Sequence, residues 1–234
     1  MGSKRFKNKT CAYCSVQAAV TGDHVFAREF FLKEHRANLP QAPTCDRCNN
    51  EKSKLEHYLT ALLPFGGRHK HSGQNLTSQV PKRLDKNQRL HRELREGQSG
   101  VRHIQGDKAL NTFALPIREG AIEALFEYIV KGLVWHHWRI YLDQQFPVQA
   151  LVLSDHGREY FDRELFSKSA AQRVFENLGD STVIYEGSQG VGRPEITVWR
   201  FHIYGGIILA DGEHIMATEI GAISGPKRVI ESDT

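Results

Sequence analysis

The chain has 234 residues, 40% hydrophobic and 25% charged, a balance that fits one or two globular domains and excludes a disordered or collagen-like chain. It holds no run of about 18 apolar residues to span a bilayer, and its opening segment, Met1 to Lys7, lacks the apolar core of a signal peptide, so a cytoplasmic protein with no membrane partner is expected. The formal net charge of +4 divides unevenly, with 20 Lys+Arg against 10 Asp+Glu in residues 1–108 and 11 against 17 in residues 109–234.

Residues 1–10 are polar and basic without periodicity and read as a mobile arm, with order starting at Thr10. From Cys11 to Pro43 short apolar pieces alternate with polar residues, the pattern of small strands and a loop. Asn49 to Leu63 has no Gly or Pro and places Leu55, Leu59 and Leu62 at helical spacing before Pro64 and Gly66-Gly67, which predicts one helix of about four turns. Residues 66–108 carry 10 Lys+Arg against 4 Asp+Glu and no aromatic residue except histidines. They read as a basic linker or arm, with a short charged helix over Lys82 to Glu96.

Ile117 to Gln145 is rich in apolar and aromatic residues at helical spacing and predicts a buried helix of about eight turns. Strands are predicted at Val148 to Leu153, Thr182 to Tyr185, Glu195 to Ala210 with a break at Gly205-Gly206, and His214 to Ala217, and a second helix at Ala170 to Leu178. Gly187 to Gly192 opens no helix and reads as a hairpin loop. His136 and His137 read as packing residues of the long helix. The expected fold class is therefore α+β, with a unit over 1–65, the basic linker over 66–108, and an acidic α+β unit over 109–234 with a long helix and an antiparallel sheet around Trp135, Trp138 and Trp199. The acidic unit suggests contact with a second copy or a partner protein.

Four cysteines form two pairs, Cys11/Cys14 and Cys45/Cys48. Two residues between partners lets both thiolates reach one ion, and two such pairs offer zinc a closed tetrahedral site whose role is structural. Closing it folds Asp23-His24, nine residues after Cys14, against Asn49, which follows Cys48. A carboxylate, an imidazole and an amide then converge, and the two oxygen donors suit Mg²⁺ or Mn²⁺. The basic first half is the electrostatic footprint of a polyanion, most simply nucleic acid.

Cys11-Ala-Tyr-Cys14, Asp23-His24-Val25-Phe26-Ala27-Arg28 and Cys45-Asp-Arg-Cys48-Asn49-Asn50-Glu51-Lys52 resemble an HNH endonuclease of the zinc-stapled kind, over about residues 10–64. The resemblance implies a ββα-metal core and metal-dependent hydrolysis of DNA phosphodiester bonds, with RNA left open. It implies His24 as general base and Asp23 and Asn49 as ligands of Mg²⁺ or Mn²⁺. His57 is the alternative to Asn49, Asn38 the match to the middle asparagine that orients the histidine, and Arg28 a cation for the scissile phosphate. Lys52, which closes the matched segment, is a further candidate. The sequence departs from the family at Ala27, where proline is usual, and at Ser15, where glycine is usual. Defence against phage or mobile DNA is the setting such a nuclease would suit. Two other readings stand beside it: a non-catalytic zinc-containing module that binds nucleic acid, and a regulatory adaptor acting through residues 109–234.

Overall fold

The computed structural model describes residues 5–105, 108–166, 172–211 and 214–227. It is a mixed α+β structure in which an N-terminal hairpin and a run of helices precede an antiparallel sheet. In chain order, β1 (Thr21–His24) pairs antiparallel with β2 (Gln41–Thr44), setting Asp23 opposite Ala42 and His24 opposite Gln41. Two single 3₁₀ turns, Arg28–Phe30 and Lys33–His35, cross between these strands. Helix α1 (Asp46–Gly66) follows at once, matching the expected helix but starting three residues earlier and carrying Pro64 inside its last turn.

Residues 66–105, read from their charge as a connector, are largely folded: α2 (Lys70–Ser78), α3 (Val80–Lys86) and α4 (Gln88–Glu96) lead into a hairpin of β3 (Ser99–Gln105) and β4 (Lys108–Ala114). Each short helix buries only a few side chains, such as Val80 in α3 and Leu90 and Leu94 in α4. That is why net charge hid them. Arg83, one of the cations counted there, instead donates to the Thr60 and Glu29 carbonyls at 2.8 and 2.9 Å. The presumed mobile arm also needs correction. Residues 1–4 and the start of the expected helix at Ala170 lie outside the described residues, but Phe6 is buried, edge-on to Trp135 at 5.8 Å and so close over Gly22 that a Cβ there would meet its ring at 2.3 Å.

Helix α5 (Ala121–Trp138) is five turns, not eight. It ends at Arg139, whose φ of 60° is left-handed and whose guanidinium donates to the Trp135 and His136 carbonyls at 2.9 and 2.5 Å. This is a C-terminal stop made by arginine where glycine is usual. Next come β5 (Val148–Leu153) and α6 (Asp155–Tyr160), which runs on into a π-helical turn, Phe161–Phe166. The expected helix at 170–178 is instead β6 (Arg173–Leu178), an edge strand paired with β7 (Val183–Gly190) from Arg173↔Ser188 to Leu178↔Val183; the backbone ladder overrides local helix propensity. The Gly187–Gly192 segment turns β7 into β8 (Arg193–Ile203), as a hairpin should. The remaining strands are β9 (Ile207–Asp211) and β10 (His214–Ser224). The sheet order is β5-β10-β8-β7-β6, with β9 beside the first half of β10.

One continuous apolar cluster joins the hairpin side to the sheet: Phe26 packs on Tyr185 and Phe201 at 5.5 and 6.3 Å, and α5 lies between, with Leu125, Phe126, Ile129, Val130 and Leu133 fully buried. Polar ties reinforce it. The Tyr204 hydroxyl donates to the Phe30 carbonyl at 2.6 Å, Asn75 donates to both at 2.9 and 3.0 Å, and the Tyr204 carbonyl accepts from Arg68 and His69. Among the described residues no helix is long and apolar enough to cross a membrane.

Candidate functional site

The four cysteines come together as their spacing predicts. The first pair sits on a tight knuckle in which the Cys11 amide donates to the Gln17 carbonyl, the Ser15 amide donates to Cys11, and Thr10 bridges Ala18. The second pair straddles the start of α1, with Cys45 flanking the helix and Cys48 in its first turn. All four Sγ atoms lie within 4.8 Å of one another, Cys14 and Cys45 at 4.0 Å. Tetrahedral zinc with Zn–S bonds of about 2.3 Å needs sulfurs about 3.8 Å apart, so the cage fits a structural zinc ion. Burial raises the Cys11 and Cys48 thiols, with neighbouring sulfurs adding to the shift. Cys14 is brought down to about 7: its own burial opposes this, but the amides of Gln17 and Val16 outweigh it. A divalent cation removes the repulsion among four such sulfurs.

Ser15, the first departure from the family pattern, has φ of 56°, the region where glycine is at ease. Its Oγ donates to the Leu142 carbonyl at 3.0 Å, a bond glycine could not make. Ala27, the second departure, holds φ of −52°, near the value a proline ring imposes. Both loop shapes survive without the usual residue.

The staple sets the first turns of α1 beside β1, and there a compact charged group forms. Lys52, whose side chain is 1% exposed, places Nζ 2.9 Å from Asp23 Oδ2 and 2.9 Å from the His24 carbonyl, and also pairs with Glu56 one turn further along α1. Tyr13, inside the first cysteine pair, donates its hydroxyl to the same Asp23 Oδ2 at 2.6 Å, and the Lys52 ammonium lies 5.8 Å from the Tyr13 ring centre. Tyr13 and Lys52 thus fasten one oxygen of Asp23, and Oδ1 is the other donor it offers. Burial alone would lower Lys52, yet Asp23 and Glu56 outweigh it and hold the ammonium above its usual range. Burial, with Asp23 adding and Lys52 opposing, pushes the Glu56 carboxyl up to about 7.

His24, half-buried, is held below the ordinary histidine range by burial first and by the Arg28 cation second, so its ring is neutral at neutral pH. The side-chain amide of its cross-strand partner, Gln41, lies 3.1 Å from His24 Nε2. The atom that faces the ring is the amide nitrogen, which only donates, so Nε2 accepts and carries the ring's lone pair while Nδ1 bears the proton of the neutral imidazole. The Gln41 backbone is itself braced from α5, where His136 Nδ1 lies 3.1 Å from the Gln41 main-chain carbonyl oxygen. His137 reaches the Tyr185 hydroxyl at 2.9 Å and is lowered to about 4 by burial, so both histidines serve packing, as their helix position suggested. Gly132 lets α5 come this close, since a Cβ there would meet Val25 at 2.9 Å and Tyr13 at 3.3 Å.

Asn49 lies half-buried in the first turn of α1, on the helical line that continues through Lys52 and Glu56. His57 is exposed, about 80° around the helix from Asn49, and is not drawn into the group. Asn38 is an exposed turn residue with φ of 56°; the contact to the histidine ring expected of it is made by Gln41. Arg28 is exposed and acts on His24 through its charge. Glu56, Tyr13 and Gln41 escaped sequence reasoning. The i,i+4 spacing of Lys52 and Glu56 was visible, but nothing marked that face as buried. No family model matches this chain, and no curated protein or solved structure matches it either, so the likeness to HNH endonucleases stands on the short motifs.

Proposed function

We propose that the protein hydrolyses phosphodiester bonds of nucleic acid, DNA foremost, at the centre formed by Asp23, His24 and Asn49. The observation that supports this best is the fastening of the Asp23-His24 strand onto the zinc-stapled start of α1 through Lys52. Two oxygen donors, Asp23 Oδ1 and the Asn49 amide oxygen, suit a Mg²⁺ or Mn²⁺ ion, which when bound offsets charge on the phosphate and the departing oxygen. His24, neutral, accepts the proton of the attacking water at Nε2, where the water takes the place of the Gln41 amide that donates to that nitrogen. The water oxygen forms a bond to phosphorus as the bond to the 3′ oxygen breaks, leaving a 5′-phosphate and a 3′-hydroxyl. Exposed Arg28 offers a cation to the phosphate at the entrance. Lys52, buried and already shared among three acceptors, holds Asp23 in place.

A second reading is favoured by that same lysine. An ammonium already neutralising Asp23 is also what a purely structural ion pair looks like, as in a zinc module that binds nucleic acid without cutting it. Cleavage of supercoiled plasmid with Mg²⁺, Mn²⁺ or EDTA separates the two. The nuclease nicks or linearises plasmid only with the divalent ion, and loses at least a hundredfold in rate in Asp23→Asn and Asn49→Ala, in line with the share of a barrier one metal site supplies. Salt-sensitive DNA binding without cleavage under every metal condition supports the binding module instead. The depressed His24 carries a further expectation: the acid limb of the rate profile falls below the ordinary histidine value of about 6.5, and a limb above it contradicts the neutral-base role.

A further inference from the structure

Three segments far apart in sequence bring two imidazoles and a carboxylate together. His35 closes the second 3₁₀ turn between β1 and β2, His71 lies in the first turn of α2, and Asp180 sits in the β6–β7 turn. One ligand atom from each lies within 4.8 Å of the other two. The rings of His35 and His71 stack at 4.8 Å, and Asp180 Oδ2 is 3.7 Å from His71 Nε2.

Hydrogen bonding fixes which nitrogen of His71 is free. The buried Thr182 hydroxyl has a single proton, donated to the Gly179 carbonyl at 2.6 Å, so toward His71 Nδ1, at 2.7 Å, it can only accept. Nδ1 therefore carries the ring proton, and in the neutral ring Nε2 turns a lone pair toward a carboxylate oxygen. Two acceptors facing each other call for a cation between them. A ligating histidine whose other nitrogen donates to a fixed oxygen is the arrangement that orients imidazole for a metal. His69 is oriented differently: its Nδ1 accepts from the His71 amide at 3.3 Å, so its Nε2 bears the proton and is not offered as a ligand.

We propose that His35, His71 and Asp180 form a second metal site, separate from the four-cysteine cage and from the Asp23 centre, for a divalent transition ion of the Zn²⁺, Ni²⁺ or Co²⁺ class. Imidazole with carboxylate suits these ions rather than Mg²⁺ or Ca²⁺. Three protein ligands leave a position for water. Bonds of about 2.0–2.2 Å need donor atoms about 3.3–3.5 Å apart, so the group contracts slightly on binding, a movement open to half-buried His35 and exposed Asp180. Lys70, whose ammonium lies 2.9 Å from Asp180 Oδ2 on a largely exposed pair, is the cation displaced, at little cost. The ion would tie the loop that follows the His24 strand to the far hairpin of the sheet.

The test uses untagged full-length protein carrying its one cysteine-bound zinc equivalent, titrated with Ni²⁺ by equilibrium dialysis at pH 8. One further Ni²⁺ per chain is expected, with affinity at least tenfold weaker in Asp180→Asn and in His35→Ala while zinc content is unchanged. Asparagine tolerates the left-handed backbone of position 180, so that variant keeps the turn. No Ni²⁺ bound beyond the zinc equivalent would overturn the proposal. So would binding that both variants retain, or binding lost instead in Asp23→Asn, which would put the ion at the Asp23 centre.

Discussion

The hairpin beside the four-cysteine cage and the C-terminal sheet are held together by different physics. Around β1 and the start of α1 the fixed points are four sulfurs, a buried ammonium shared by Asp23 and Glu56, and single hydrogen bonds from Tyr13 and Gln41. Across the sheet the fixed points are aromatic: Trp199 meets Trp138 at 5.1 Å and stacks on Phe201, with Tyr185 beside both. The first kind of order depends on ions and pH, and the second on area removed from water. The group around Asp23 and His24 is built on the first and braced by the second, through α5.

Removing the metal cage should separate the two regions most sharply. Binding at a four-ligand zinc site is worth about 10–16 kcal/mol in small zinc peptides, more than any single side chain supplies. Chelation or Cys48→Ala is therefore expected to abolish hydrogen-exchange protection over residues 11–24 and 41–49 while amides of β7 and β8 stay protected. Equal loss in both regions would mean that the sheet, too, depends on the cage.

Next in size is Lys52→Met, which strands two partly buried carboxylates and should cost about 3 kcal/mol in urea unfolding. Trp199→Ala should cost a similar amount by leaving a cavity. The two differ in pH response, since only the Lys52 loss should shrink as acid protonates Glu56.

Glu56 sharpens the same point. Its folded pKa of about 7 lies above the ordinary 4.5, so the folded state holds a proton that the unfolded state has released. Its contribution is full below about 4.5 and fades as pH rises to about 7. Glu56→Gln should remove that slope and gain on the order of 2 kcal/mol relative to wild type at pH 8; an unchanged slope would place the titration elsewhere. The smallest effect concerns the knuckle. Ser15→Gly relieves the left-handed backbone but loses the bond to Leu142, whereas Ser15→Ala keeps the strain and loses the bond. Alanine should be less stable than glycine there by about 1 kcal/mol in thermal unfolding.

Elements that repeat a pattern locally were legible in the sequence. The cysteine spacing predicted the cage, the Leu55, Leu59 and Leu62 period predicted α1, and strand composition placed β5 to the residue. Elements defined by their partners were not. The strand β6 reads as helix until its ladder with β7 is seen, and α5 stops at an arginine that bears no stop signal. The helices α2 to α4 vanish into their own net charge. At the candidate site the motif residues Asp23, His24, Asn49 and Lys52 were visible because they lie in short matched segments. Glu56, Gln41 and the brace from His136 were hidden because each matters only through a neighbour that folding supplies.

The most direct measurement is the rate of plasmid nicking with Mg²⁺ for wild type and His24→Ala at matched zinc content. Under the proposed mechanism nicking depends on the metal and falls at least a hundredfold in His24→Ala, in keeping with the usual share of a general base, with zinc and secondary structure unchanged. Nicking at the wild-type rate by His24→Ala would contradict it.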